Sequence, residues 1–593
     1  MATTLGQHLV DSILPLKWQG KGVLTKGVLN NVLLGVAKED VSKYPDVVTK
    51  LKRLGDEVAT LDGISVGLDD IAPRISERDA ALKPHVEAFR KATTNTDKVK
   101  ALVGGQNAML TLARNHPGTM GEMVRAGGRG NAAQLMRTVG APVFAEDSKG
   151  KVIPWLVDKS FSEGLKPADA WIMGGQARVN AVVSNISVVE PGDLAKILVN
   201  NMGDQLVTTV DCGTKNGIAM LPTDAHLIDR YQAGTNKLIT PQYAAHLAKE
   251  GKEVIVRSPM TCEAAHGVCQ HCQGLSSSGG MHSIGTNVGV RAAQALAEPL
   301  TQFALNAKHG GRVVGVDDEK RLEGIKGVRA LLEIPTSFAH KAVLADRDGS
   351  ITKVDKAPQG GHYVFVGDGS HYVPPAHKVV VGVGQSVYAG DLLSDGVPKP
   401  DEIVQHKGLG EGRRYLVDAL SDVYKRAGSE VDKRHLETLA KSVLNHVQIV
   451  DPGPDDAFIK GDVVDYNRFH ASLAAAKKRL PTADAIGETL ADGILHHTAG
   501  TVVTQPIADQ LVRHGVTSVM TSSQGPRALP FMRPASRTPL LNPDWMARLA
   551  HRYLKESLLT GIHRGDVSNL HGASPVPAYV AGTEFGLGEE GQY

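Results

Sequence analysis

Cys262-Glu-Ala-Ala-His-Gly-Val-Cys269-Gln-His-Cys272 holds three of the four cysteines in a chain of 593 residues, and the fourth, Cys212, lies fifty residues upstream. A Cys-x2-Cys turn presents two sulfurs to one ion, and zinc takes four soft ligands in a tetrahedron. Four protein ligands leave no open position, so Cys212, Cys262, Cys269 and Cys272 would hold Zn2+ structurally rather than for catalysis. The same spacing admits four free buried cysteines, or a redox pair at 269 and 272. His266 and His271 are rival ligands, expected to sit on the knuckle without binding. Four cysteines are too few for a disulfide-stapled secreted protein of this length.

The rest of the composition bounds the answer. The 593 residues exceed what one core accommodates, so several domains are expected. Aromatics are 4%, too few for base stacking on aromatic platforms to dominate nucleic-acid binding. The net charge of +2 leaves that role to local patches. No apolar run approaches the roughly 20 residues of a membrane span. The opening Met1-Ala-Thr-Thr-Leu-Gly-Gln-His lacks the basic and apolar segments of a secretory signal. A cytoplasmic protein without membrane partners is expected.

Outward from the knuckle, the periodicity changes several times. Leu5–Ile13 and Asp46–Leu61 carry apolar residues at three- and four-residue spacing, which predicts helices. Residues 120–131 read as a glycine-rich basic loop opening a helix at Ala132. From Ala170 to Val189 the only charge is Arg178, and Trp171, Ile172, Val179, Val182, Val183, Ile186 and Val189 suit a helix buried nearly all round. Glu190-Pro191-Gly192 would kink it. His362-Tyr-Val-Phe-Val and Lys378-Val-Val-Val-Gly-Val, set among Gly and Pro turns, predict a small β domain, and 410–450 returns to helix. Gly-Gly-Arg-Gly at 127–130 lacks the Gly-Lys-Ser/Thr of a nucleotide triphosphatase, which excludes an independent ATPase.

The segments flanking the knuckle carry a resemblance. Gly289-Val-Arg-Ala-Ala-Gln-Ala-Leu-Ala-Glu-Pro-Leu-Thr-Gln-Phe-Ala-Leu-Asn-Ala-Lys-His-Gly-Gly311 resembles the trigger loop of the β′ subunits of multisubunit DNA-directed RNA polymerases. Gly164-Leu-Lys, Ala177-Arg178, Gly192, Leu194 and Asp211-Cys212-Gly213-Thr214 resemble the bridge helix and the first zinc cysteine. Leu5–Pro15, Gly63–Ile71, Gly127–Gln134, Gly327–Glu333, Val387–Gly396, Val423–Gly453 and Val580-Ala-Gly-Thr583 follow in family order. All four cysteines fall on the family's zinc positions. The resemblance implies a C-terminal part of a split β′ subunit, most like large-bacteriophage enzymes.

That implies an α+β multidomain fold. Its parts would be a helical funnel-like region over 1–120, a glycine-rich (F-loop-like) segment over 121–163, the bridge helix over 164–205 and a zinc region over 206–285. The trigger loop would take 286–338, a small β domain 339–405 and a mixed clamp-associated region 406–593, within which 500–560 is divergent. In the trigger loop, Gln302 would contact the nucleotide's sugar, Leu305 its base, and His309 the β-phosphate as positional catalyst or proton donor. Asn306 stands where the family has a phosphate-binding arginine, and Lys308 replaces an aromatic and would supply a point charge instead. Ala297 and Leu300 replace two hinge glycines, predicting a stiffer hinge. Arg178 is either a paired core arginine or a contact to template or RNA backbone; Arg125 and Arg129 either support the bridge and trigger or lie in a solvated loop.

The family's Asn-Ala-Asp-Phe-Asp-Gly-Asp loop, which holds the catalytic Mg2+, does not occur in the sequence. A separate N-terminal β′ chain is expected to carry it. The other expected partners are β-type chains, DNA template, RNA product and nucleoside triphosphates, in the host cytoplasm or packaged in a virion if phage-encoded. The chain would be a nucleotidyltransferase subunit inactive alone. The competing reading is a non-catalytic zinc-stapled nucleic-acid-binding scaffold of the same ancestry.

Overall fold

The computed structural model describes residues 4–565 except 21, 23, 64, 148–150, 187–188, 278, 310–321, 454–457, 474–476, 523–524, 543–547 and 549–553. The chain divides into two compact units, Met1–Ser187 with Leu305–Val314, and Val188–Ala304 with Gly315–Tyr593. Among the described residues no helix is long and apolar enough to cross a membrane. Helices and several small sheets make the α+β architecture the sequence predicted. The strand resemblance at Val580–Thr583 lies outside the described residues.

The first unit is helical. Its elements are α1 (Leu5–Asp11), α2 (Lys26–Glu39), α3 (Tyr44–Asp62), α4 (Ile75–Lys91), α5 (Asn95–Arg114), α6 (Gly118–Ala126), α7 (Ala132–Val139) and α8 (Pro167–Ile186). Leu82 of α4, Leu102, Met109 and Ala113 of α5, and Leu135, Met136 and Val139 of α7 share one core with Val143, Phe144 and Val152. The expected loop at 120–131 is shorter than predicted, because α6 runs through Ala126. It stops at Gly127, whose φ of +74° suits a glycine cap. A capping box between Asn131 and Gln134 then starts α7.

The second unit mixes helices with small sheets. Its helices are α9 (Val189–Met202), α10 (Pro241–Glu250), α11 (Gln270–Gln273), α12 (Val288–His309), α13 (Gly324–Glu333), α14 (Pro400–Arg426), α15 (Lys433–Val443), α16 (Tyr466–Ser472), α17 (Gln505–Arg513) and a last one over Leu554–Arg564. The main core joins α9, α12, α13, α14 and α15 through Leu194, Leu198, Leu296, Leu300, Leu331, Leu420, Leu436 and Leu439. α14 breaks at Gly408, whose φ is +88°.

The strands are β1 (Val207–Thr209), β2 (Ile218–Met220), β3 (Val254–Val256), β4 (Val268–Cys269), β5 (Gly349–Lys356), β6 (His362–Val366), β7 (Gly369–Val373), β8 (Ser386–Val387), β9 (His446–Asp451), β10 (Val463–Asp465), β11 (Lys477–Pro481), β12 (Ser518–Ser522) and β13 (Arg527–Phe531). The β domain is a four-stranded sheet in the order β7-β6-β5-β8, with Ile351, Val364, Val366 and Val373 in its own core. The β-branched run at 378–383 is not a strand. It makes one bridge, Val379 to Ser394, and leaves Val380 and Val383 exposed, because propensity without a partner edge does not build a ladder.

One expectation about the bridge segment is corrected. α8 is not buried nearly all round: Trp171 is 76% exposed, and Ala170, Ala177 and Arg178 are exposed as well. The side chains of Val179, Val182, Val183 and Ile186 lie outside the described residues. Pro191 is buried in α9, and the continuity of α8 with α9 through 187–188, on which the expected kink depends, lies outside the described residues.

Candidate functional site

The knuckle is assembled from four short pieces of the second unit. Cys212 follows β1, Cys262 follows a 3-10 turn at Pro259–Thr261, Cys269 ends β4 and Cys272 lies in α11. Parallel pairing of β1 with β4 brings the Cys212 and Cys269 segments together. Gly267 makes that approach possible: its φ is +61°, and a Cβ there would lie 2.1 Å from the Leu206 carbonyl oxygen.

The four Sγ atoms lie within 4.8 Å of one another, and Cys212 is 3.8 Å from both Cys262 and Cys272. Tetrahedral bonds of about 2.3 Å to zinc put sulfurs about 3.8 Å apart, so the donor set fits that ion. The Cys269 amide donates to Cys262 Sγ and the Cys272 amide to Cys269 Sγ, each at 3.3 Å, so backbone dipoles favour thiolates. Hydrogen bonds from Cys262, Cys269 and Cys272 pull Cys212 far below the ordinary thiol range. Cys269 is raised by Cys212 but lowered by Cys262 and Cys272, and settles at about 6. Their bonds to Cys212, with burial, push Cys262 and Cys272 up. His266 and His271 stay outside the sulfur cluster; His271 stacks on Tyr231 with ring centroids 4.5 Å apart.

Sequence reasoning missed the groups around the sulfurs. Arg257, only 1% exposed, donates from Nη2 to Cys212 at 3.2 Å and to Cys269 and Cys272 at 3.4 Å. The same Nη2 reaches Asp211 at 2.6 Å, and Nη1 reaches Asn236 at 2.7 Å. Burial would raise the Asp211 carboxyl, but the Gly213 amide and Arg257 hold it below the ordinary carboxylate range. Successive turns of α15 grip the knuckle from behind. Lys441 donates to the Gly267 carbonyl at 2.9 Å, and Glu437 accepts from Arg230 at 2.6 and 2.8 Å and from Ser258 at 2.7 Å. No spacing rule marks Arg257 or Glu437 in the sequence; the fold alone brings them in.

The bridge-like and trigger-like segments meet at their bases. Gly289, at the start of α12, lets the Met202 carbonyl at the end of α9 approach to 1.8 Å of where a Cβ would lie. Its amide donates to Gln205 at 3.0 Å, and Asn287 donates to the Gly203 carbonyl at 2.8 Å. Arg329 of α13 pairs with Asp193 of α9 at 2.9 Å. Tyr424 of α14 donates to the Leu296 carbonyl at 2.7 Å, and Leu300 is fully buried. Leu300, where the resemblance leads us to expect a hinge glycine, is thus a core anchor.

Gln302, Leu305, Asn306, Lys308 and His309 all fall on α12, and 302, 305, 306 and 309 follow helical spacing. Their side chains, and the connection 310–321, lie outside the described residues. Arg178 is not a core arginine. It is exposed, with its guanidinium 6.0 Å from the Trp171 ring centroid and Nε 3.5 Å from the Gly174 carbonyl. Arg125 caps carbonyls, donating to His116 at 2.5 Å and Arg114 at 3.3 Å, whereas Arg129 is exposed on its loop.

Comparison with known proteins fits this arrangement. The family model described as RNA polymerase Rpb1, domain 5 matches residues 164–364 and 371–500, more than half of the chain. The DNA-directed RNA polymerase subunit beta' of Heliobacterium modesticaldum is 27% identical over 545 residues, covering 82% of this chain and 45% of its own length. That of Clavibacter sepedonicus is 28% identical over 549 residues, covering 83% and 41%, and that of Oceanobacillus iheyensis is 27% identical over 489 residues, covering 75% and 40%. The chain spans less than half the length of these curated relatives. With the match running from the head of α8 through the knuckle, α12 and α13 to α15 and beyond, the chain belongs to the RNA polymerase Rpb1 domain 5 family, as a C-terminal part of a β′ subunit.

Proposed function

We propose that this chain supplies the moving elements of nucleotide addition in a DNA-directed RNA polymerase, with α8 and α9 as the bridge and α12 and α13 as the trigger pair. The observation that supports this most is the shared base: α9 holds the root of α12 through Gly289 and the flank of α13 through Arg329–Asp193. A firmly held root is what a gating element needs at its base.

In this reading Gln302 contacts the sugar, Leu305 packs on the base, and His309 positions or protonates the departing phosphate. Lys308 takes over charge neutralisation from the position held by Asn306. Arg178, held over Trp171 on an exposed face, serves the template or RNA backbone, and other polymerase chains or nucleic acid cover the apolar face of α8. Arg125 and Arg129 support the bridge and trigger elements. The knuckle takes Zn2+ on Cys212, Cys262, Cys269 and Cys272, compensated by Arg257, and keeps α15 in register with β1 and β4.

When bound, Mg2+ supplies charge stabilisation of the transferring phosphoryl group. Its aspartate ligands come from outside these residues, on a partner β′ chain in the split arrangement, with β-type chains completing the enzyme. The departures at Asn306, Lys308, Ala297 and Leu300 motivate a phage-type enzyme acting in the host cytoplasm or carried in the virion. The functional divisions follow the boundaries predicted from the sequence. The test is co-purification of a tagged chain, followed by RNA synthesis from nucleoside triphosphates with and without template. Template-dependent RNA made by a stoichiometric complex that includes an aspartate-loop segment is expected. A chain that binds nucleic acid but never joins such a complex would leave the scaffold reading.

A further inference from the structure

A second cluster of metal-ligating side chains lies away from the knuckle, on α14, α17 and the turn between them in space. One ring nitrogen each of His496 and His497 and a carboxylate oxygen of Glu411 lie within 4.8 Å of one another. The turn is closed by reciprocal bonds between Ile494 and His497, each 2.9 Å, with Leu495 at a φ of +52°. That left-handed residue is unfavourable for a leucine, and it sets two consecutive rings side by side with centroids 4.2 Å apart. Gly410 seats the turn on α14, since a Cβ there would lie 2.0 Å from the His496 carbonyl oxygen.

The hydrogen bonds fix which atoms remain available. His497 Nε2 lies 2.9 Å from the Gln510 side-chain oxygen, which only accepts, so Nε2 carries the proton. Nδ1 then bears a bare lone pair, and it is buried with no hydrogen-bond partner on a residue 3% exposed. An amide oxygen that holds one ring nitrogen and leaves the other for an ion is the usual support of a metal-binding histidine. His496 Nε2 lies 2.7 Å from Glu411 Oε1.

We propose that Glu411, His496 and His497 bind a second zinc ion, which staples α14 to the 494–497 turn and, through Gln510, to α17. Two imidazoles and one carboxylate suit zinc, whereas magnesium and calcium call for oxygen donors. Ligand bonds of about 2.0–2.1 Å put neighbouring donor atoms about 3.3 Å apart. The His496–Glu411 contact therefore opens slightly as zinc replaces the proton between them. The partly exposed edge of Glu411 leaves room for water as a fourth ligand.

The test counts zinc per full-length chain after saturation and removal of loose metal by gel filtration. Wild type is expected to hold two ions, Glu411→Gln and His497→Gln one each, and Cys272→Ser one through loss of the knuckle ion. Glu411→Gln preserves the size of the side chain and a bond to His496, so its folding, followed by circular dichroism, is expected to be unchanged. Cobalt added to chain holding one zinc is expected to give ligand-field bands without thiolate charge transfer, lost in both cluster variants. One zinc in saturated wild type, or two in Glu411→Gln and His497→Gln, would overturn the proposal. A Cys272→Ser count equal to wild type would instead overturn the knuckle assignment.

Discussion

Arg257→Met removes the guanidinium that packs against the knuckle sulfurs while keeping most of its apolar bulk. Arg257 is 1% exposed and donates to Asp211, Asn236 and three of the four sulfurs, so the change strands several acceptors at once. Removing one partner of a buried ion pair costs about 3–5 kcal/mol. The Asp211 side chain is 28% exposed and regains water, which favours the lower end, about 3 kcal/mol. Loss of a group supporting the ligands lowers metal affinity about 10–100-fold, equivalent to about 1.4–2.7 kcal/mol. Two assays read these separately: the urea midpoint of the zinc-loaded chain, and zinc transfer to a coloured chelator under native conditions. Arg257→Lys keeps a charge but not the fork, so it is expected to fall between wild type and methionine. If Arg257→Met keeps its zinc as tightly as wild type and unfolds at the same urea concentration, the electrostatic account of the knuckle is wrong.

Gly267→Ala forces a side chain to φ +61° and to 2.1 Å from the Leu206 carbonyl, so zinc is expected to leave at lower chelator concentration. Gly213→Ala, also at positive φ but with nothing within 4 Å, is the control and should cost only about 1–2 kcal/mol in urea unfolding. Leu300→Gly restores a family hinge glycine but empties a fully buried site, with an expected loss of about 4 kcal/mol by thermal unfolding, against about 1 kcal/mol for Ala297→Gly. Burial, with Arg533 and Arg413 nearby, pulls His446 from 6.5 down to about 4. Its folded value lies below its unfolded one, so that stability is fully present above pH 6.5 and is lost as pH falls towards 4. His446→Gln is expected to flatten that window in urea unfolding by up to about 3 kcal/mol.

The parts legible in the sequence were those with local spacing rules. Four cysteines grouped around a Cys-x2-Cys turn mark a donor set, and the helix at 46–61 announces itself by its period. The four-stranded sheet over 349–387 was legible through His362–Val366, but Lys378–Val383 looked equally strand-like. What separates them is an available partner edge, which composition does not record. α8 reads as a buried helix because burial was inferred from apolarity, and Trp171, Ala170 and Ala177 show that an apolar side chain can lie exposed on it. Arg257 and the trio Glu411, His496 and His497 were illegible for a different reason. Their partners are 45 and 85 residues away in sequence, and only the packed fold brings them to hydrogen-bond distance.

The central claim is that α12 carries the nucleotide-addition machinery, with His309 as the group near the departing phosphate. The direct measurement is the single-nucleotide addition rate of the assembled polymerase on a fixed template–RNA scaffold, at saturating nucleoside triphosphate, for wild type and His309→Ala. Loss of a positioned acid–base group costs roughly 10²-fold or more, so the account predicts a fall of at least that size with template binding unchanged. An unchanged addition rate in His309→Ala would contradict the assignment.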